Sequence, residues 1–147
     1  MLSWFSPKSG PGPGGPKIGF DDVLYAIKNH AITNQFLLIN TLPLDSGFQD
    51  CLIHGTMPCS DEETVINDLL SRYQLNSKSF IVYGKNATDP TVEIKYKQLI
   101  DLGFSRVYMY VGGMFEWLLL QDIYGTTEFP TTKKILDILK YKPRAVF

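Results

Sequence analysis

Three short apolar runs constrain this chain most: Phe36-Leu37-Leu38-Ile39, Phe80-Ile81-Val82-Tyr83 and Val107-Tyr108-Met109-Tyr110. Each is too short for a helix, and the first is bounded by the polar Gln35 and Asn40, as a strand buried on both faces would be. Stretches of helical periodicity lie between them. Asp21 and Asp22 precede Val23, Leu24, Ala26 and Ile27, which puts acid at the positive end of a first helix. Ser60 and Glu63 have the spacing of a capping box, ahead of a stripe of Val65, Ile66, Leu69, Leu70 and Tyr73. Asp89-Pro90 opens another helix, with Asp89 as N-cap and Pro90 in the first turn. Val92, Tyr96, Leu99 and Ile100 form its apolar stripe, and Gly103 suits its left-handed cap. Gly112-Gly113 turns into a helix carrying Phe115 and Trp117. A last helix is expected over residues 131–140, with Ile135, Leu136, Ile138 and Leu139 facing the core, and Cys51-Leu52-Ile53 reads as a further short strand.

Strands alternating with helices argue an α/β fold, a central parallel sheet covered on both faces. Ligands bind such sheets at the carboxyl ends of the strands. The loops after Ile39, Tyr83 and Tyr110 are therefore where a site is expected.

The 147 residues suit one domain with one core. Residues 1–17 read as a flexible N-terminal segment, because Ser9-Gly10-Pro11-Gly12-Pro13-Gly14-Gly15-Pro16 lacks donors and loses too much entropy on ordering. Ahead of it, Leu2-Ser3-Trp4-Phe5 is either a frayed end or a sticky anchor for a partner. The folded domain is expected over residues 18–142, with a tail at 143–147. A net charge of −1, from 14 basic and 15 acidic side chains, gives no basic footprint for nucleic acid. The local basic excess of Lys133, Lys134, Lys140, Lys142 and Arg144 reads as a solvated helix face. No apolar run approaches the roughly 20 residues a membrane helix needs, and residues 1–5 are too short for a signal peptide. Two cysteines eight positions apart do not make a disulfide scaffold. An intracellular, cytoplasmic protein is expected.

Ile53-His54-Gly55-Thr56-Met57, Leu102-Gly103-Phe104-Ser105-Arg106-Val107-Tyr108 and Gly112-Gly113-Met114-Phe115-Glu116-Trp117 follow one another along the chain, and together they resemble landmarks of the rhodanese-like domain family. Ile53-His54-Gly55-Thr56-Met57 is similar to its I-P-G-A-h segment, with His54 in place of proline and Thr56 in place of alanine. Leu102-Gly103-Phe104-Ser105-Arg106-Val107-Tyr108 is similar to its h-G-F-x-x-V-y junction, and Gly112-Gly113-Met114-Phe115-Glu116-Trp117 to its G-G-x-x-x-W signature. The resemblance covers residues 21–117 and implies a three-layer α/β/α domain. In that family a cysteine follows the strand that here is Phe80-Ile81-Val82-Tyr83, its thiolate cradled by backbone N–H groups. Here that position is Gly84, in the loop Gly84-Lys85-Asn86-Ala87-Thr88-Asp89, which contains no cysteine. The family's Asp-x-Arg after the first core strand is also missing, replaced by Asn40-Thr41-Leu42. The resemblance thus implies the fold without the sulfur-transfer reaction, and without that of related phosphatases using the same cysteine.

The loop remains a candidate vestigial anion pocket, using its backbone N–H groups and Lys85, although Asp89 would compete for those donors. Cys59, next to a helix start, and Cys51 are the alternative thiols for a displaced sulfurtransferase or persulfide carrier, but Asp61, Glu62 and Glu63 oppose a thiolate at Cys59. Cys51, His54 and Cys59, with only His30 as a fourth donor, match no strong zinc spacing, so no metal or cofactor is expected. Trp117-Leu118-Leu119-Leu120 with Ile123 and Tyr124 is apolar around more than one helical stripe. This is expected either to pack under the last helix or to form an apolar, aromatic surface for a protein partner or a homo-oligomer.

Overall fold

The computed structural model describes residues 16–147. The expected Pro/Gly linker and the Leu2-Ser3-Trp4-Phe5 anchor lie outside the described residues, apart from Pro16. Four strands, β1 (Lys17–Ile18), β2 (Phe36–Asn40), β3 (Ser79–Tyr83) and β4 (Val107–Tyr110), form one all-parallel sheet in the order β1-β4-β3-β2. Helices α1 (Phe20–Thr33), α2 (Cys59–Ser71), α3 (Pro90–Asp101) and α4 (Gly113–Tyr124) cover it.

Side chains alternate along each strand, and this divides the core in two. Leu38, Ile81, Tyr83 and Tyr110 face α1 and α4 and pack with Val23, Ala26, Trp117 and Leu118. Ile39, Phe80, Val82 and Met109 face α2 and α3 and pack with Ile66, Leu69, Val92 and Leu99. The protein is therefore a three-layer α/β/α domain. Every residue of β3 is buried, as the central strand of a two-sided sheet must be. Burying one such large apolar side chain contributes about 1.5–3 kcal/mol.

Several local readings meet different geometry. β1 is an added edge strand, too short to leave a periodic signal; Lys17 pairs with Met109 and Ile18 with Tyr110. α2 begins at Cys59 with Pro58 at the cap and no side-chain cap bond, so Ser60 and Glu63 do not form a capping box: Ser60 already lies within the first turn. Tyr73 leaves the stripe beyond the helix end, at φ 56° and 89% exposed. α3 starts as expected, with Asp89 accepting from the Thr91 N–H. It ends in a Schellman arrangement, in which Gly103 at φ 109° donates to the Ile100 carbonyl and Phe104 to the Leu99 carbonyl.

Residues 131–140 form no α-helix. Residues 130–133 instead run beside residues 50–54. Thr131 bridges Ile53, the Thr132 N–H donates to the Leu52 carbonyl at 2.8 Å, and the Leu52 N–H donates to Thr132 Oγ1 at 3.0 Å. These long-range bonds replace the helical ones that the apolar spacing suggested. Cys51-Leu52-Ile53 is correspondingly not a sheet strand; it makes only the single Ile53 bridge. A 3-10 turn, Ile138–Tyr141, follows. Ile135 and Ile138 pack against the core while Leu136 and Leu139 stay exposed. On α4, Trp117 and Leu118 are buried, whereas Leu119, Ile123 and Tyr124 remain exposed. Among the described residues no helix is long and apolar enough to cross a membrane.

Candidate functional site at the carboxyl ends of the strands

β3 delivers Tyr83 and Gly84 to the carboxyl edge of the sheet, where residues 84–89 connect it to α3. The loop is held by its own side chains. Asp89 Oδ2 accepts from the Lys85 N–H at 2.9 Å, and Oδ1 accepts from the Thr91 N–H at 3.0 Å and from the Thr91 hydroxyl at 2.6 Å. Buried Asn86 accepts from the Thr88 N–H at 2.9 Å and from its hydroxyl at 2.7 Å, and donates to the Tyr141 carbonyl at 2.9 Å. The amides of Lys85, Thr88 and Thr91 are thus occupied by carboxylate or carboxamide oxygens of the same loop.

This arrangement closes the space beside Gly84. A Cβ added there would stand 2.5 Å from Asp89 Oδ2 and 2.8 Å from both Thr41 Oγ1 and Val92 Cγ2. No side chain fits without displacing one of them. The loop's other wall is the start of α4. The Gly84 and Lys85 carbonyls accept from the N–H groups of Met114 at 2.9 Å and Phe115 at 2.8 Å. Gly113 makes this contact feasible: its φ is +64°, and a Cβ would lie 2.7 Å from the Gly84 carbonyl oxygen and 2.9 Å from the Asn86 nitrogen. Trp117, one helical turn further, is fully buried, donates to the Pro130 carbonyl at 3.2 Å and meets Phe129 edge-on at 5.2 Å.

At the end of β2, Asn40 is buried and neutral. It accepts from the Leu42 N–H at 3.1 Å and from Gln49 Nε2 at 2.7 Å. Residues 53–57 are anchored by Tyr83, a site residue that the sequence reading passed over as core. Its hydroxyl accepts from the Ile53 N–H at 3.1 Å and meets Thr56 Oγ1 at 2.6 Å. An aromatic at the end of a buried strand carries no sequence signal of its hydroxyl's partner. His54 is exposed.

The two thiols differ in setting. Cys51 is buried and donates to the Lys133 carbonyl at 3.0 Å; burial pushes its pKa up, against smaller opposing effects of that bond and of Lys133 and Lys140. It is held as a neutral thiol. Cys59 is partly exposed, with Sγ 3.4 Å from Gln49 Oε1 and 3.7 Å from Asn40 Nδ2. It lines an open groove of about 450 Å³ with Lys95, whose ammonium pairs with Glu62. Among the described residues no three His, Cys, Asp or Glu side chains converge. Over the loop itself lies a cleft of about 470 Å³, lined by Thr41, Lys85, Asp89 and the C-terminal segment.

No protein-family model matches the chain, and no curated protein matches it. Solved structures do. A Bacillus halodurans protein is 16% identical, covers 75% of this chain and 74% of its own, and superposes at a TM-score of 0.53. A Rhodopseudomonas palustris protein of unknown function, described as a possible tyrosine phosphatase, is 17% identical over 75% of this chain and 82% of its own, at a TM-score of 0.50. These two share the fold. A Rhodanese_3-like domain from Anabaena sp. is 23% identical over 65% of this chain and 97% of its own, at a TM-score of 0.43.

Proposed function

We propose that this chain is a rhodanese-like module that performs no sulfur transfer and acts by binding another protein. The observation that carries the reading is the closed position at Gly84: it holds no nucleophile, and Asp89, Thr41 and Val92 occupy the space a cysteine would need. Covalent catalysis at this loop requires a nucleophile with an activating environment. The loop is vestigial in this reading. The Asp89 carboxylate takes the Lys85 and Thr91 amides that a bound anion would use. The exposed Leu119, Ile123 and Tyr124 of α4 give the module apolar surface beyond what its core needs.

A second reading makes Cys59 a displaced persulfide carrier. Its favourable observation is position: Cys59 is the first residue of α2, partly exposed, in a groove with Lys95. Asp61 and Glu62 in the same first turn oppose a thiolate there. One assay separates the readings: thiocyanate formation from thiosulfate and cyanide by the full chain and by Cys59→Ala and Cys51→Ala. The binding-module reading expects background rates from all three. Turnover abolished by Cys59→Ala would replace it with the second.

A further inference from the structure

The cleft over the loop is lined by four cations and one acid, Asp89. Lys85 comes from the loop, and Lys140, Lys142 and Arg144 come from the C-terminal segment, although the chain as a whole carries −1. Lys85 Nζ and Lys140 Nζ both lie over the Phe48 ring, 4.6 and 4.3 Å from its centroid. That ring is itself fixed edge-on against Tyr141 at 5.4 Å, and Lys140 also donates to the Ser46 carbonyl at 2.7 Å. Both ammonium groups are thereby held against the same ring beside the loop by its quadrupole. None of the four cations makes a salt bridge among the described residues. The acid in the lining, Asp89, spends its oxygens on Lys85 N–H and on Thr91.

We propose that this cleft docks an acidic segment of a partner protein. The proposal rests on the binding-module reading and names the chemistry of the partner. A single small anion is poorly served here, because the amides of Lys85, Thr88 and Thr91 are already engaged. What remains is a spread of side-chain cations along an open trough, which matches several carboxylates on one chain. The trough also offers Pro43, Pro90, Pro143 and Leu139 to the apolar stems of such a segment. Single-stranded nucleic acid needs aromatic faces to stack on, and the aromatic ring beside these cations, Phe48, is buried beneath them.

The test is fluorescence anisotropy of a labelled poly-glutamate peptide with the full chain, alongside Lys142→Glu/Arg144→Glu and, separately, Lys85→Met. Lys142 and Arg144 are exposed, so their reversal leaves the core untouched, and circular dichroism verifies this. Expected are binding that weakens with added salt, a loss of about tenfold or more on charge reversal, a smaller loss in Lys85→Met, and weaker competition by oligothymidylate and inorganic phosphate. Absence of peptide binding, indifference to the charge changes, or tighter binding of oligothymidylate or phosphate overturns the proposal. Thiocyanate production overturns the parent reading instead. A chain that makes no thiocyanate and binds no peptide loses this inference alone.

Discussion

The Asp89 carboxylate occupies the space that a side chain on Gly84 would enter, its Oδ2 2.5 Å from where that side chain's first carbon would sit. The same carboxylate caps α3 through Thr91 and closes the loop through Lys85. Helix cap, loop closure and the lack of room for a side chain at Gly84 are therefore one arrangement, and changing either residue tests it.

Gly84→Cys is expected to destabilise the protein by about 1–3 kcal/mol through overpacking, and to leave it without sulfur-transfer activity. Asp89→Ala alone costs about 1 kcal/mol as a lost cap. The two changes together cost less than their sum, because removing the carboxylate makes room for the thiol. Urea unfolding of the four proteins in the cycle measures the coupling, expected at about 0.5 kcal/mol or more. Strict additivity would show that the two side chains do not compete for one space.

Gly113→Ala is expected to cost about 2–4 kcal/mol, combining a strained positive φ with a clash against the Gly84 carbonyl and the Asn86 amide. Thermal unfolding reads it directly. A Tm within a degree or so of the unmodified chain would contradict the close approach of loop and α4.

Removing a hydroxyl has opposite consequences at two buried tyrosines. Tyr83→Phe leaves the Ile53 N–H and Thr56 without the partner they share, at a cost of about 1–3 kcal/mol. The Tyr141 hydroxyl has no hydrogen-bond partner among the described residues, so Tyr141→Phe is expected to be neutral or stabilising by up to about 1 kcal/mol. Chemical denaturation of both variants under one condition checks the contrast.

Alkali is expected to unfold the domain. Burial pushes the Tyr141 phenol up to about 12, raises Tyr83 and Tyr110 further, and raises the Cys51 thiol. Each folded-state value lies above the unfolded one. The contribution of these groups is therefore complete below the unfolded values, about 9 for the thiol and 10 for the phenols. Between the unfolded and folded values the unfolded chain has released protons that the folded chain retains, so stability falls as pH rises from about 9 through about 12. Tm measured across this range should decline, with a shallower slope in Tyr141→Phe.

Much of the scaffold was legible because it is encoded locally. The buried strands announce themselves as short apolar runs, and Asp89-Pro90 and Gly103 mark the two ends of α3 by cap chemistry alone. The segment 131–140 was not, since its apolar spacing fits a helix, whereas the distant residues Leu52 and Ile53 tie down its start at Thr131 and Thr132. That change also disperses the expected basic helix face, carrying Lys140, Lys142 and Arg144 to the cleft beside Lys85. The competition of Asp89 for the loop's donors was visible in sequence as an acid at a cap. Its fit against Gly84 was not, because it depends on Thr41 and Val92 arriving from β2's end and from α3.

The most direct test of the central claim is the intact mass of the chain after incubation with thiosulfate. An unchanged mass is expected in the unmodified chain, Cys51→Ala and Cys59→Ala alike. A gain of one sulfur atom that disappears in either cysteine variant would contradict it, and would mark that thiol as a sulfur carrier.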